Sequence, residues 1–398
     1  MLAEKKIKIN DILFLSFIML FAANVINRYF YFIYIATIFY IMVAPCNICA
    51  NRSMAALSIF AASLIVFDPQ YLYSIWGVLK PVTFPIAYVL GYNYVKNEKQ
   101  NKEKQIIKLI VVMVVGMFIH VVLNYRINIG AEDRTTIDVW TGGGNNATLQ
   151  AAMAVWPLAF CISALFSNVK LIYKVFAITG VVIVLLYNMI LAGRTLLVIS
   201  AILVLISIVF MLFSNSRKRN RKNIILLIAI VLLVVYIFST NAFGVQKVVM
   251  KSNFYERFFG DRSVVDIDED SRMANKERYI NNMLDYPFGG NKLREQLNGA
   301  YAHDLYLDVY SVASLFAFVA IIIYILISII NFLEIIKNKS ISFSLKEILM
   351  CIYLVSNIMF FMEPITAGMP WFLVSYCIMD GMVSAILKDS RKGVEGDI

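Results

Sequence analysis

The chain has 398 residues, of which 60% are hydrophobic and only 16% are charged. This composition, with a mean hydropathy of +0.74, excludes an ordinary soluble domain, in which roughly a quarter of the residues are charged. The formal net charge of +10 follows from basic residues in loops between apolar segments, so it does not indicate nucleic-acid binding.

Apolar runs of about twenty residues recur along the chain, and each is long enough to cross the ~30 Å hydrocarbon core of a bilayer. The pattern predicts an all-α polytopic membrane protein with about twelve transmembrane helices. The predicted spans lie near residues 11–27, 29–45, 53–68, 72–95, 105–123, 147–166, 170–190, 194–213, 222–240, 304–335, 345–362 and 369–387.

Lys and Arg set the predicted orientation, because short cytoplasmic loops carry an excess of both. They concentrate in alternate connections, for example at Lys5–Lys8, Lys96–Lys108, Arg217–Lys222 and Lys388–Lys392. With these connections inside, both termini are cytoplasmic and the polar segment 241–303 lies outside. The chain thus divides into helices one to nine (1–240), a large extracytoplasmic loop (241–303), and helices ten to twelve with a cytoplasmic tail (304–398).

The long loop is the first place to look for chemistry, since structureless connections of this length are usually functional. Within it, Ser271–Leu284 predicts a short amphipathic helix with four apolar residues on one side, namely Met273, Ile280, Met283 and Leu284. Such a helix would hold Arg272, Lys276 and Arg278 on an ordered element. A solvated helix on the membrane surface is the alternative.

Two cations fall in or beside predicted spans, where charge is costly and often functional. Arg194 lies in a very short outer turn between two apolar helices, and Lys80 precedes Pro81 inside the fourth span. A guanidinium at this turn could bind phosphate oxygens in a bidentate manner. The alternative for Arg194 is a side chain that snorkels to the interface.

His303 is predicted in the first turn of the tenth helix, with Tyr306 and Tyr310 on the same face. A helix N-terminus disfavours the imidazolium form, so a neutral His303 could accept a proton. His120 lies on an apolar helix face and is interpreted as structural.

The five cysteines all lie outside the long loop, so no disulfide framework is expected there. Cys46-x-x-Cys49 has no second pair or histidine near it in the sequence. We therefore expect neither a metal site nor a cofactor.

The order of motifs resembles the bacterial O-antigen polymerase and O-antigen ligase superfamily. The matching features are Gly142–Ala147 entering a helix, Gly193-Arg194-Thr195 at a helix start, Arg272, Arg278 and Pro287-Phe288-Gly289 in the loop, and His303-Asp304-x-Tyr306-Leu307 opening the next span. The chain departs from the usual motifs by having His303-Asp304 in place of His-Asn, and Asn145-Asn146-Ala147-Thr148 in place of a Pro-Asn-x-x-Ala-type run.

The resemblance implies a metal-independent glycosyltransferase of the bacterial cytoplasmic membrane that joins undecaprenyl-pyrophosphate-linked repeat units. It implies His303, Arg194 and Arg278 as catalytic residues. It also implies a substrate-binding set of Arg272, Asn145, Asn146 and Tyr306, to which Lys80 is added as a charge inside a predicted span. Its partners would be the lipid-linked oligosaccharide, the bilayer and a chain-length regulator protein.

Three other functions stay open. A ligase of the same superfamily would transfer the glycan to lipid A-core, although the spacing from Arg278 to Gly289 favours a polymerase. A twelve-helix flippase or transporter usually has two similar halves, which the position of the long loop does not favour. A structural or receptor membrane protein would leave the motif at His303 without a purpose.

Overall fold

The structure, a computed structural model, describes residues 2–98, 101–131, 136–167, 169–212 and 271–395, with a few separate positions between 213 and 270. Two short strands, β1 (Thr136–Ile137) and β2 (Gly144–Asn145), pair in antiparallel fashion. The α-helices of the described residues are α1 (Leu2–Ala22), α2 (Tyr29–Ile41), α3 (Arg52–Phe67), α4 (Pro69–Leu72), α5 (Ile75–Lys96), α6 (Lys102–Ile127), α7 (Ala147–Phe166), α8 (Leu171–Leu191), α9 (Arg194–Leu212), α10 (Ser271–Asn281), α11 (Lys292–Gln296), α12 (Leu305–Val312), α13 (Leu315–Lys337), α14 (Phe343–Met362), α15 (Ile365–Gly368) and α16 (Pro370–Glu395).

The protein is an all-α, multi-pass membrane protein. Within the described residues, eight helices are long and apolar enough to cross a membrane, namely α5, α6, α7, α8, α9, α13, α14 and α16. Three shorter apolar helices lie in α1, α2 and α3. Most of the predicted ninth span, 222–240, lies outside the described residues, so the number twelve stays a prediction.

Polar residues at the predicted ends of apolar runs begin several helices. The side chains of Asn51, Ser74 and Asn146 accept hydrogen bonds from the amides of Met54, Gly77 and Leu149, respectively. Each bond satisfies an amide that has no partner within its own helix. The predicted spans and the observed helices therefore agree closely at these points.

The chain forms two compact units. The first comprises Met1–Met117, Ser271–Ser342 and Ser356–Ile398, and its closest helix pair is α5 with α16. A Cβ atom at Gly91 would overlap the Ile378 carbonyl oxygen, and one at Gly381 would overlap that of Tyr88. Small residues at both crossing points let these backbones approach closely, as in many membrane helix pairs.

The predicted tenth span, 304–335, is wrong as a single helix. It is broken between α12 and α13, where Ser314 caps α13 by accepting from the Ala317 amide. The turn at Pro287–Gly290 is hydrogen-bonded to this break. The Gly290 N–H donates to the Val312 carbonyl, and the Leu315 N–H donates to the Pro287 carbonyl. The predicted span gives no local signal for this break. We attribute the break to the tertiary hydrogen bonds from the turn.

The second unit comprises Phe118–Asp270 and Phe343–Val355. In it α7 packs against α8 and α9, and the β1–β2 hairpin leads into α7. Ala192 ends α8 in the left-handed conformation, with φ of 48°, and α9 begins two residues later at Arg194. The short turn predicted at Arg194 is therefore confirmed.

The part of the long loop before α10 (residues 241–270), with its acidic run Asp266–Asp270, lies almost wholly outside the described residues. The same holds for the basic segment Arg217–Lys222. The boundary of a loop at 241 and the cytoplasmic side of both termini remain predictions.

Candidate functional site

The segment between α10 and α13 is held in place by a turn that only glycine suits. Gly289 has a φ of 61°, in the left-handed region, and a Cβ there would lie 2.6 Å from the Ala313 carbonyl carbon. The nearby Tyr310 hydroxyl donates to the carbonyls of Met283 and Tyr286. The loop after α10 therefore folds back onto the break between α12 and α13.

Helix α10 directs two cations towards the interior of the first unit. The buried Tyr279 anchors the helix through its hydroxyl, which donates to the Ala300 carbonyl at 2.7 Å. Arg272 and Lys276 lie on the same side as Tyr279, since residues three and four apart share a helix face. The predicted helix is confirmed, and its four apolar residues do not face the interior: Met273, Ile280 and Leu284 are exposed, and Met283 is partly buried.

Arg272 lies beside a buried carboxylate. Its Nη1 is 3.6 Å from Oε1 of Glu363, whose side chain is only 1% exposed. Burial raises the pKa of Glu363 to about 7, although the positive charges of Arg272 and Lys276 lower it. Glu363 can therefore exchange a proton near neutral pH.

Lys276 joins three elements at one point. Its Nζ lies 3.4 Å from Oδ2 of Asp304 and donates to the Phe361 carbonyl at 2.7 Å. Asp304 also caps α12, because its Oδ1 accepts from the Leu307 amide at 2.7 Å. Burial raises the pKa of Asp304, whereas the Leu307 amide and Lys276 lower it.

His303 immediately precedes this cap. The prediction that it lies in the first helical turn is wrong, because α12 begins at Leu305 and His303 has a left-handed φ of 54°. Its half-buried ring lies 6.4 Å from that of Tyr301, over which the Arg294 guanidinium stacks at 3.6 Å. His303 therefore does not share the helix face of Tyr306 and Tyr310, because it lies in the turn before α12.

A second buried carboxylate lies one turn further along α12. Asp308 Oδ2 accepts from the Thr366 hydroxyl at 2.6 Å and from the Ala367 amide at 3.2 Å. Burial raises the pKa of Asp308 to about 6, against the effect of these two bonds. These contacts attach α15 to α12.

We call Arg272, Lys276, His303, Asp304 and Glu363 the α10 cluster. Tyr306 borders it, since its ring lies 5.1 Å from that of Phe361. Of the sequence-predicted residues in this unit, the structure therefore places Arg272 and Tyr306 at the cluster, and His303 belongs to it as the residue that directly precedes Asp304 in the chain. Arg278 lies on the same helix but is exposed, about 120° around the axis from Arg272.

The other predicted site residues lie elsewhere. Lys80 is half-buried within α5 of the first unit. In the second unit, Arg194 opens α9, Asn145 belongs to β2, and Asn146 caps α7 with its side-chain oxygen.

Sequence reasoning missed Glu363 and Asp308. Glu363 ends an apolar run just before Pro364, about 60 residues after His303, and only the fold brings it to Arg272. The signal in the sequence was an acidic residue directly at the end of a predicted span, which is costly unless it has a partner.

A buried polar network in the second unit was also missed. Trp140 Nε1–H donates to Nδ1 of His120 at 2.9 Å, so a neutral His120 carries its proton on Nε2, which lies 3.4 Å from Oδ2 of Asp138. Although burial raises the pKa of Asp138, bonds from His120 and Thr141 lower it to about 2. The prediction that His120 lies on a purely apolar face is therefore wrong, although it remains structural in character.

No model of a known protein family matches the sequence, and no curated protein matches it. A functional assignment therefore depends on the chemistry of the α10 cluster and on the motifs of the chain.

Proposed function

We propose that the protein is a polysaccharide repeat-unit polymerase of the bacterial cytoplasmic membrane. It joins undecaprenyl-pyrophosphate-linked oligosaccharides on the outer membrane face. The observation that carries the proposal is the α10 cluster, in which Arg272 and Lys276 lie beside the buried carboxylates of Glu363 and Asp304, with His303 next to Asp304. The cluster offers both anion-binding and proton-accepting groups.

The reaction replaces one glycosidic oxygen by another. The hydroxyl oxygen of the acceptor sugar forms a bond to the anomeric carbon of the donor, and the bond from that carbon to the pyrophosphate oxygen breaks. The electron pair leaves with the lipid pyrophosphate, and the hydroxyl proton passes to a base. His303 is the proposed base, a role that is typically worth about 10²–10⁴ in rate.

Cationic side chains replace a metal in neutralising the departing pyrophosphate. Arg272 is the first candidate, because it belongs to the α10 cluster and its guanidinium can bind phosphate oxygens in a bidentate manner. Arg278 is the second, and Arg194 in the second unit is an independent third. Tyr306, Lys80, Asn145 and Asn146 remain proposed substrate-binding residues, and a chain-length regulator remains a proposed partner.

A proton-coupled transporter is the second candidate. It is favoured by two buried carboxylates with a pKa near neutrality, Asp308 at about 6 and Glu363 at about 7. Such groups bind and release protons at physiological pH and mark proton pathways in membrane proteins. A ligase stays open as a second glycosyltransferase function.

Reconstitution distinguishes these functions. Purified protein in liposomes would receive lipid-linked oligosaccharides extracted from the source cells, and the products would be separated by gel electrophoresis. A polymerase gives a ladder of longer glycans, which Arg272→Lys should largely abolish because lysine lacks the planar fork. Arg278→Lys, on the exposed side of the same helix, is the matched comparison.

Two results would contradict the polymerase proposal. One is transfer of the glycan to added lipid A-core with no lengthening, which would show a ligase. The other is movement of unchanged oligosaccharide across the bilayer, driven by a pH gradient, which would show a transporter.

A further inference from the structure

Helix α10 has three chemically distinct sides. At about 100° per residue, Arg272, Lys276 and Tyr279 point towards the interior of the unit. Met273 and Ile280 share a second side, roughly a quarter-turn away. Ala274, Arg278 and Asn281 occupy the third side, and all three are exposed.

The second side carries large apolar groups that the first unit does not cover. Met273 and Ile280, with Leu284 and Phe288 in the turns that follow, are between 60% and 80% exposed. Single exposed apolar residues are common on proteins, but contiguous groups mark interaction surfaces. We call these four residues the apolar strip.

The apolar strip continues into a helix that can cross the membrane. The Phe288 ring stacks on that of Phe67 with centroids 6.0 Å apart, and the Phe67 ring stacks on that of Phe316 at 6.2 Å. Phe316 is itself exposed in the first turn of α13, one of the eight candidate spans among the described residues. The strip is therefore continuous with an apolar helix surface suited to lipid.

We propose that α10 lies in the plane of the bilayer interface and that the apolar strip inserts among the lipid chains just below the headgroups. Phospholipid is thus the partner of this surface. Helices of this kind bury their apolar face about 5–10 Å into the boundary between headgroups and acyl chains. The third side, with Arg278 and Asn281, then faces water.

This placement sets the depth of the cations on the inner side. Arg272 and Lys276 lie on a helix at headgroup level, where the phosphates of any lipid substrate are located. Binding of a lipid pyrophosphate by these two cations rests on the proposed function, whereas the position of α10 does not.

Spin labelling tests the position of the helix in the full-length protein, reconstituted in phosphatidylethanolamine and phosphatidylglycerol liposomes. Its five native cysteines would first be replaced. Single cysteines would then be placed at Met273, Ile280 or Leu284 on the lipid side, and at Ala274 or Asn281 on the water side. Collision rates of the nitroxides with oxygen, which concentrates in the bilayer, and with a water-soluble nickel chelate report their depth.

We expect the oxygen-to-nickel collision ratio to be several-fold higher at the three lipid-side positions than at the two water-side ones. Three lipid-side probes at exposed positions allow for one variant that fails to fold. Equal nickel access at all five positions would overturn the proposal by placing the whole helix in water. Low access of both reagents to the lipid side would also overturn it, because another protein surface would then cover the strip. Neither outcome depends on glycosyltransferase activity.

Discussion

Lys276 of α10 lies 3.4 Å from Asp304, the residue that caps α12. The same ammonium group donates to the carbonyl of Phe361 near the end of α14. One side chain therefore connects the end of the long loop to two helices of the first unit, and it does so next to His303.

Replacing Lys276 by Met should loosen α10 while keeping most of the apolar stem. Both side chains of the ion pair are largely buried, so we expect a loss of about 1–2 kcal/mol in unfolding free energy. Thermal unfolding in detergent would measure it. Lys292→Met, at an exposed position of the same loop, is the control, and an equal loss in both variants would contradict the role of the pair.

Glu363 should make stability fall as the pH rises. Its folded pKa of about 7 exceeds its ordinary value of 4.5, so between these values the folded protein binds more protons than the unfolded chain. The resulting stabilisation is fully present below about pH 4.5 and is lost by about pH 7. Asp308, with its pKa raised to about 6, acts in the same direction at lower pH.

Unfolding temperatures of Glu363→Gln across pH 5–8 test this dependence. The variant should show a flatter profile than the wild type, with the largest relative gain at pH 8. Glu295→Gln, at an exposed loop position, should keep the wild-type slope. An unchanged slope in Glu363→Gln would show that Glu363 stays ionised in the folded protein.

The sequence was sufficient for the long helices and insufficient for the site, for identifiable reasons. Helices such as α7 and α9 follow from about twenty apolar residues with polar ends. The break at Ser314 does not, because it is caused by hydrogen bonds from the turn at Pro287–Gly290 inside a continuous apolar run. Glu363 and Arg272 are about 90 residues apart, so no local pattern pairs them.

Which side of α10 faces the interior did not follow from the sequence, for a related reason. Periodicity identified an amphipathic helix, and the usual rule places its apolar side inside. Here the interior offers the carboxylates of Glu363 and Asp304, so Arg272 and Lys276 turn inward, and Met273 and Ile280 remain outside. In the proposed position of α10 at the bilayer interface, the outside of the helix is also apolar, so the rule for helices in water does not apply.

His120 should matter for stability although it lies far from the α10 cluster in the sequence. His120→Ala would remove the acceptor of the Trp140 indole N–H and the imidazole beside Oδ2 of Asp138, at a cost of about 1–3 kcal/mol. A double-mutant cycle with Trp140→Phe should show strong coupling, because the two residues share one hydrogen bond. Additive losses in unfolding free energy would show that the bond contributes nothing.

His303 is the proposed acceptor of the proton of the acceptor hydroxyl. His303→Asn is the best test, because asparagine tolerates the left-handed φ of 54° and keeps a hydrogen-bonding group but cannot act as a base near neutral pH. His303→Ala is its companion, with a small additional cost from the backbone conformation.

The decisive measurement is the length of the glycan made in cells and in proteoliposomes by stably folded His303→Asn protein. We predict wild-type abundance and unfolding temperature, with single repeat units in place of long chains and a rate at least about 10²-fold lower. Full-length polysaccharide from His303→Asn at normal abundance would rule out His303 as the base, because it would show that His303 serves only as a structural hydrogen-bonding group.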